Sequence, residues 1–339
     1  MSNKIIDLFC GCGGLSRGFE MAGFEPVLAI DFWKDAIDTY NFNHKNNIGI
    51  CEDVSMLSNE FLEEIMKKNK IIGIIGGPPC QGYSTVGKRD ITDERNYLYL
   101  QYCRIVEKIK PEFFVLENVK GLLTLDKGKF KEDIIDKFSK LGYSVEYRLL
   151  NAADYGVPQN RCRVFFVGIK KKKFIFPKPN NNKITTYEAI SDLSEYEFKY
   201  TTDPQNSYQK KMRKHCNKLY NNEFTNHTEQ TKKIIEMIPN GGKITDLPKE
   251  YWEIRKYNKA FQRMDSMSQS NTIDTGHRNY FHYEKNRIPT VRESARLQSF
   301  SDDFIFKGSK TSQYKQVGNA VPPLLAFAIA EAIKSQIGG

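Results

Sequence analysis

The sequence predicts an α/β fold, a doubly wound and mostly parallel sheet joined to a smaller basic domain. Three observations carry that expectation. Short β-branched or aromatic runs alternate with amphipathic stretches up to about residue 169, the rhythm of strands joined by crossover helices. Some runs, such as Ile71-Ile72-Gly73-Ile74-Ile75, are continuously apolar, as strands covered on both faces are. The charge is also uneven: of a net +10, residues 170–285 hold 22 basic and 14 acidic side chains.

Taken in order, strands are predicted at 4–9, 26–31, 71–76, 113–117, 144–150 and 163–169. Helices at 15–22, 34–43, 61–68, 97–108 and 130–141 repeat apolar residues at three- and four-residue spacing. After residue 169 the rhythm breaks. Four lysines, Pro177, Pro179 and an Asn180-Asn181-Asn182 run read as a linker. Residues 187–283 are polar, basic and aromatic, with weak periodicity. Order resumes with a helix start over 290–300 and an apolar helix over 321–333, which tolerates Pro322 and Pro323 in its first turn.

With 339 residues, 40% of them hydrophobic, the chain can bury a core, which excludes wholesale disorder. Its length suggests two domains. No apolar run approaches the ~20 residues that span a bilayer, and the N-terminus reaches Asp7 without a signal-peptide core. A cytoplasmic protein is expected, with no membrane partner. Seven cysteines without paired spacing fit reduced thiols. A basic segment within an otherwise balanced chain suggests a polyanion-facing surface, with nucleic acid the leading candidate.

Two loops carry chemistry. Asp7-Leu8-Phe9-Cys10-Gly11-Cys12-Gly13-Gly14 joins the first strand to its helix, where glycines let the backbone approach a ligand. Asp31, ending the second strand, can accept hydrogen bonds from ribose hydroxyls. Phe32 or Trp33 can pack on an adenine face, and Asp53 can contact the adenine edge. This set suggests an adenosine-containing cofactor without saying which. Ser16 stands where a dinucleotide fingerprint wants its third glycine, so a nicotinamide cofactor is disfavoured but stays open. Cys10 and Cys12 lack a partner Cys/His pair and read as small packing residues.

Gly76-Gly77-Pro78-Pro79-Cys80-Gln81-Gly82-Tyr83-Ser84 follows an apolar strand and puts Cys80 at the sheet's carboxyl edge. A thiol there serves as a nucleophile if its thiolate is stabilised. The strand at 113–117 delivers Glu117 to the same edge, and a carboxyl against apolar walls can act as an acid near neutrality. Arg161 and Arg163 alternate at the start of the last strand, so both are expected to face one side.

These residues resemble, in order, the motifs of the S-adenosylmethionine-dependent DNA (cytosine-5) methyltransferases of bacterial restriction-modification systems. Asp7–Gly14 is similar to the cofactor loop, Gly76–Ser84 to the Pro-Cys motif, Glu117-Asn118-Val119 to the acid motif, and Gln159–Arg163 to Gln-x-Arg-x-Arg. Arg292-Glu293-Ser294-Ala295-Arg296-Leu297-Gln298 resembles the Arg-Glu-x-Ala-Arg-Leu-Gln helix, and Gly318-Asn319-Ala320-Val321-Pro322 the C-terminal signature. Ser301 departs from a usual proline.

The resemblance implies a Rossmann-like methyltransferase domain over 1–178 plus 311–339 and a small target-recognition domain over 179–310. It implies that Cys80 adds to carbon 6 of a flipped cytosine while Glu117 engages ring nitrogen 3. Arg163 would hold the base's carbonyl oxygen, Arg161 would steady the nucleophile loop, and the Pro78 carbonyl would read the exocyclic amine. For S-adenosylmethionine the implied residues are Phe9, Gly11, Gly14, Asp31, Phe32, Asp53, Val54, Pro79, Leu98, Asn319 and Val321. No metal is required.

The implied partner is double-stranded DNA, met by a monomer that is paired functionally with a restriction endonuclease. Ser84, Lys210, Lys211, Arg213 and Lys214 are candidate DNA contacts, with Arg263 or Arg278 as guanine readers. His277 and His282 are expected to be surface or packing residues. Rival readings are a transfer-RNA cytosine-5 methyltransferase on the same motifs, a catalytically inactive nucleic-acid binder and a nicotinamide dehydrogenase.

Overall fold

The computed structural model describes residues 2–79, 96–180, 182–253, 261–275 and 279–337. It divides into two compact units. The first comprises Met1–Asn151, Cys162–Pro179 and Pro323–Gly339, and the second Ala152–Arg161 and Asn180–Pro322. Residues 152–161 and 311–322, grouped with the first domain on sequence, cluster with the second unit, and Pro179 clusters with the first.

The first unit alternates β1 (Lys4–Leu8), α1 (Gly14–Met21), β2 (Glu25–Asp31), α2 (Lys34–Asn43), β3 (Gly49–Cys51), α3 (Asn59–Lys68) and β4 (Ile71–Gly76). It continues with α4 (Asn96–Ile109), β5 (Phe113–Val119), α5 (Lys129–Lys140), β6 (Tyr143–Asn151) and β7 (Cys162–Lys170). Among the described residues these strands form one sheet in the order β3-β2-β1-β4-β5-β7-β6. Strands β1 to β5 pair in parallel, while β7 runs antiparallel to both β5 and β6. The predicted, mostly parallel, doubly wound sheet is therefore present. The reversal of β7 follows from its link to β6, which is too short for a helical crossover.

Strand order reverses between β1 and β4, so the segments leaving their carboxyl ends flank the switch point where such folds bind ligands. Beneath that edge the core is aromatic. Phe114 stacks on Phe138 with ring centroids 4.0 Å apart. Gly168 makes room for Phe114: a Cβ there would lie 2.1 Å from the ring.

Residues 170–179 of the segment read as a linker are instead part of this unit. Phe174 and Phe176 are 4% and 5% exposed, and the Ile175 backbone exchanges hydrogen bonds of 2.8 and 2.9 Å with Gln336. Two buried phenylalanines in alternation outweigh the flanking lysines and prolines.

The second unit holds α6 (Thr186–Ile190), α7 (Ser207–Met212), α8 (Glu229–Met237), α9 (Lys249–Glu253), β8 (Gln262–Arg263), β9 (Tyr280–Phe281), α10 (Val291–Leu297) and α11 (Lys310–Asn319). Its elements are too short to leave a periodic signature, and polar side chains do much of the joining. Helix α10 starts at a capping box of Thr290 and Glu293. Buried Arg296 pairs with Asp302 at 2.6 Å and Asp192 at 3.2 Å, and Arg287 pairs with Glu293 at 2.7 Å. Arg292 donates to the carbonyls of Tyr220, Ser301 and Phe304. Leaving one such partner unpaired costs far more than the pair contributes, so this network fixes one arrangement.

The chain then returns to the first unit as α12 (Pro323–Ile337), whose Leu325, Ala326, Ile329 and Ile333 are fully buried. It packs closely on α1: a Cβ on Gly18 would lie 2.4 Å from that of Ala326. The run Lys310–Ile337 is the one helical stretch among the described residues long and apolar enough to cross a membrane, but it breaks at Ala320–Pro322 and its apolar window is 67% buried.

Candidate active site

The loop after β1 turns through left-handed backbone at Phe9, Gly11 and Gly13. Gly13 is required twice over, by its φ of +94° and because a Cβ would fall 2.2 Å from His44 Nε2. Gly11 is different: nothing lies within 4 Å of an added Cβ, so the loop opens there onto free space. Its N–H donates to Asp31 Oδ2 at 2.9 Å, and Trp33 N–H donates to Asp31 Oδ1 at 2.9 Å. Burial raises the Asp31 carboxyl pKa against the opposing pull of these two bonds. Asp31 thus pins the glycine loop to the end of β2, with a lone pair left on each oxygen.

Phe32, next along, is 71% exposed, an uncovered aromatic face beside the open glycine. Asp53 caps a short 3₁₀ turn through Ser55 N–H at 2.7 Å and is itself exposed, while Val54 is buried. Cys10 and Cys12 are buried, and burial drives both thiol pKa values up, that of Cys12 to about 12.

On the other side of the switch point, β5 and β7 bring two charged side chains together. Glu117 lies opposite Phe165 and Val119 opposite Arg163, so Glu117 and Arg163 are diagonal neighbours on one face. Their side chains meet at 3.1 Å, 13% and 16% exposed. Asn118 Nδ2 donates to the Pro78 carbonyl at 2.9 Å, holding the loop after β4 against the end of β5. Gly77 allows the close pass, since a Cβ there would lie 2.9 Å from Glu117 Oε2. Tyr102 Oη shares its proton between the carbonyls of Val115 at 2.8 Å and Ile74 at 3.1 Å, joining β4 to β5 just below. Pro79 is half-buried at the end of the described loop, and Leu98 is half-buried in the first turn of α4. Cys80 and Ser84 lie outside the described residues.

Arg161 does not share a strand with Arg163. It precedes β7, is 1% exposed and donates through Nη2 to the Gly318 carbonyl at 2.8 Å within the second unit. The expectation that both arginines alternate along one strand therefore fails. Nearby Gln159, which the residue-level reading left without a role, accepts from Ile273 N–H at 3.0 Å and donates to Gln298 Oε1. Gln298 in turn donates to the Ala320 carbonyl at 2.6 Å. Three separate motifs are thus tied together inside the second unit. Asn319 is exposed at the end of α11, and Val321 is buried.

Of the basic candidates, Lys210, Lys211 and Lys214 are exposed. Arg213 is largely committed: its guanidinium lies 3.6 Å from the Tyr200 ring centroid and donates to the Thr202 carbonyl at 2.7 Å. Arg263 is a correction. It is 4% exposed and donates to the carbonyls of Ile238, Ile235 and His282 and to Asn286 Oδ1. A guanidinium so occupied holds the unit together and has no donor fork to offer a guanine. Arg278 and His277 lie outside the described residues. His282 is a packing residue: it is fully buried, and its Nδ1 accepts the backbone N–H groups of Glu284 and Lys285.

The family model of C-5 cytosine-specific DNA methylases matches residues 3–335. The type II methyltransferase M1.HphI of Haemophilus parahaemolyticus is 40% identical, with 98% of this chain and 87% of that protein aligned. Type II methyltransferase M.DdeI of Desulfomicrobium norvegicum is 39% identical over 97% of this chain and 88% of its own length. Among solved structures, one described as a prophage-encoded DNA modification methyltransferase from E. coli superposes with a TM-score of 0.85 at 28% identity, covering both chains fully. The S. pombe Dnmt2 methyltransferase shares the fold at a TM-score of 0.63 and 17% identity, over 99% of each chain. With a match of that extent joined to a switch-point glycine loop and a paired Glu117, this chain belongs to the C-5 cytosine-specific DNA methylase family and is a DNA cytosine-5 methyltransferase.

Proposed function

We propose that the enzyme methylates carbon 5 of one cytosine in a specific double-stranded DNA sequence. It would act as a monomer in the bacterial cytosol, as the modification partner of a restriction endonuclease. The observation that carries the chemistry is the Glu117–Arg163 pair at 3.1 Å, set beside a Pro78 carbonyl that Asn118 holds in place.

S-adenosylmethionine suits the residues present. The open face at Gly11 and the bare ring of Phe32 form a cradle for an adenosine, with Asp31, Asp53, Val54, Phe9 and Gly14 around it. Pro79, Leu98, Asn319 and Val321 are assigned to the same ligand by their motif positions. When bound, this cofactor supplies an electrophilic methyl group.

The protein's own part is to make carbon 5 nucleophilic. The target base is flipped from the duplex, since neither a thiol nor a carboxyl can reach its ring edge within the stack. The Cys80 thiolate adds to carbon 6, and the carbon 5–carbon 6 π electrons move into the ring. Glu117 protonates or hydrogen-bonds nitrogen 3, which lowers the cost of the developing charge. Arg163 serves twice, holding the base carbonyl oxygen and orienting Glu117. After carbon 5 is methylated, a base removes its proton and Cys80 leaves, restoring the double bond. Pro78 retains a second lone pair on its carbonyl for the exocyclic amine. Arg161, buried on the Gly318 carbonyl, supports this machinery through the fold. The exposed Lys210, Lys211 and Lys214, with Arg213, Ser84 and Arg278, are proposed to face DNA.

Transfer of labelled methyl groups from S-adenosylmethionine to unmethylated duplex DNA and to transfer RNA tests the reading. Label in duplex carbon 5 that is lost in Cys80→Ser supports it, and label confined to transfer RNA overturns the substrate assignment.

A further inference from the structure

Under the glycine loop lies a buried polar chain that the methyl-transfer scheme does not use. Asp7 is the penultimate residue of β1 and is 0% exposed. Its Oδ2 accepts from Ser16 Oγ at 2.6 Å, and Ser16 Oγ accepts from Tyr40 Oη at 2.9 Å. Tyr40 stacks on buried His44 at 4.0 Å, and His44 Nδ1 lies 2.9 Å from Glu20 Oε1. This explains the missing third glycine: Ser16 supplies the only hydroxyl that reaches Asp7 among the described residues. The other carboxyl oxygen, Oδ1, is buried without a donor.

A carboxylate with one oxygen unsatisfied in a closed site is costly, and a proton on that oxygen removes the charge. The groups facing it give little help. Asp31 on β2 and Glu20 on α1 repel the anion. The thiols of Cys10 and Cys12 in the loop and the hydroxyls of Tyr40 on α2 and Tyr102 on α4 are neutral neighbours, held so by burial. A cation arriving at the glycine loop would change that balance.

We propose that Asp7, seated by Ser16 and Tyr40, is a proton-linked positioning residue for the cofactor: the sulfonium of S-adenosylmethionine draws the carboxyl into its anionic form, and a proton leaves to solvent as the ligand binds. This rests on the cofactor reading above and extends it. The geometry agrees with the direction of the Asp7 pKa, which burial raises to about 7 against the pull of hydrogen bonds from both the side chain and the backbone of Ser16. Because linkage is reciprocal, affinity for the cation must rise as pH climbs through this range. The reaction product, S-adenosylhomocysteine, has the same adenosine, amino and carboxyl groups but no sulfonium, and it should lack the effect.

Titration calorimetry of the full chain in buffers of different ionisation enthalpy reads the proton directly. Binding of S-adenosylmethionine near pH 7 is expected to release roughly half a proton, with affinity rising ~10-fold from pH 5.5 to 8.5. Binding of S-adenosylhomocysteine should release none attributable to Asp7. Asp7→Asn should abolish the difference between the two ligands. Ser16→Ala, which removes the bond favouring the anion, should move the release to higher pH, so the inference is testable even if Asp7→Asn folds poorly. Equal proton release for the two ligands, or release unchanged by either substitution, overturns the inference while leaving the cofactor reading intact. Failure of S-adenosylmethionine to bind at any pH overturns the cofactor reading itself, and this inference with it.

Discussion

At the scale of single residues, the proposed mechanism makes the Glu117–Arg163 contact at 3.1 Å the join between a proton donor and the group that fixes its orientation. Arg163→Ala is expected to lower kcat by about 10²–10³, the usual effect of removing one preorganised donor, with a smaller rise in KM. Arg163→Lys should recover only part, because an ammonium cannot hold both Glu117 and a base carbonyl in one plane. Steady-state kinetics on a duplex substrate checks both, and a kcat within twofold of wild type in Arg163→Ala would remove Arg163 from the chemistry. Gly13→Ala addresses the loop proposed to hold the cofactor. Its Cβ would meet His44 at 2.2 Å in a left-handed backbone, so a loss of ~2–4 kcal/mol in urea unfolding is expected from strain and overpacking together.

Among the secondary-structure elements, the closing helix α12 depends on a glycine in α1. Gly18→Ala would press against Ala326, the Pro323 carbonyl and the Phe327 amide, two of them backbone atoms that cannot rotate away. A loss of ~1–3 kcal/mol is expected, read as a lower thermal midpoint, and an unchanged midpoint would show that the two helices can part at no cost.

Most of this architecture was legible beforehand, because strands and helices of the first unit are long enough to show their periods. The positions of Asp31, Glu117 and the loops after β1 and β4 follow from the carboxyl-end half of the strand that carries or precedes each. What escaped was set by tertiary partners. Whether Arg263 faces DNA or the interior depends on carbonyls over 20 residues away in Ile235 and Ile238, which no local pattern encodes. The Phe174–Phe176 segment reads as a linker by composition and packs as core. Arg161 sits one residue before its strand begins, so the alternation argument failed on a boundary. Ser16 departs from the dinucleotide glycine pattern, and only its tertiary partners Asp7 and Tyr40 give the reason.

Across the whole molecule, the buried groups Asp7 in the first unit and His282 and Glu293 in the second are expected to respond to acid with opposite sign. In the first, Asp7 has its pKa raised to about 7. The unfolded chain is already deprotonated above pH ~4, so this group's contribution is full below that point and is lost as pH rises toward 7, on the order of 4 kcal/mol in all. In the second, burial lowers His282 to about 4. Glu293, which burial alone would raise, is brought down to about 2 by Arg287 and His282. The His282 contribution is therefore lost as pH falls from ~6.5 to about 4, and that of Glu293 below ~4.5.

The sequence contains two tryptophans, Trp33 in the first unit and Trp252 in the second, so single-tryptophan variants can follow each. Urea midpoints reported by Trp252 should fall between pH 7 and 5, while those from Trp33 should hold or rise. A Trp33 midpoint that falls as steeply would contradict the sign assigned to Asp7.

The central claim is that Cys80, Glu117 and Arg163 methylate a cytosine in duplex DNA. Its most direct test is a DNA duplex carrying 5-fluorocytosine at the methylated position, incubated with S-adenosylmethionine and resolved by denaturing electrophoresis and mass spectrometry. Fluorine cannot leave carbon 5 as a cation, so the elimination that frees the thiol is blocked. The account predicts a stable one-to-one adduct linked through Cys80, absent in Cys80→Ser and slowed in Glu117→Gln. Methylation of ordinary duplex by a Cys80→Ser protein at the wild-type rate, or an adduct through another residue, would contradict it.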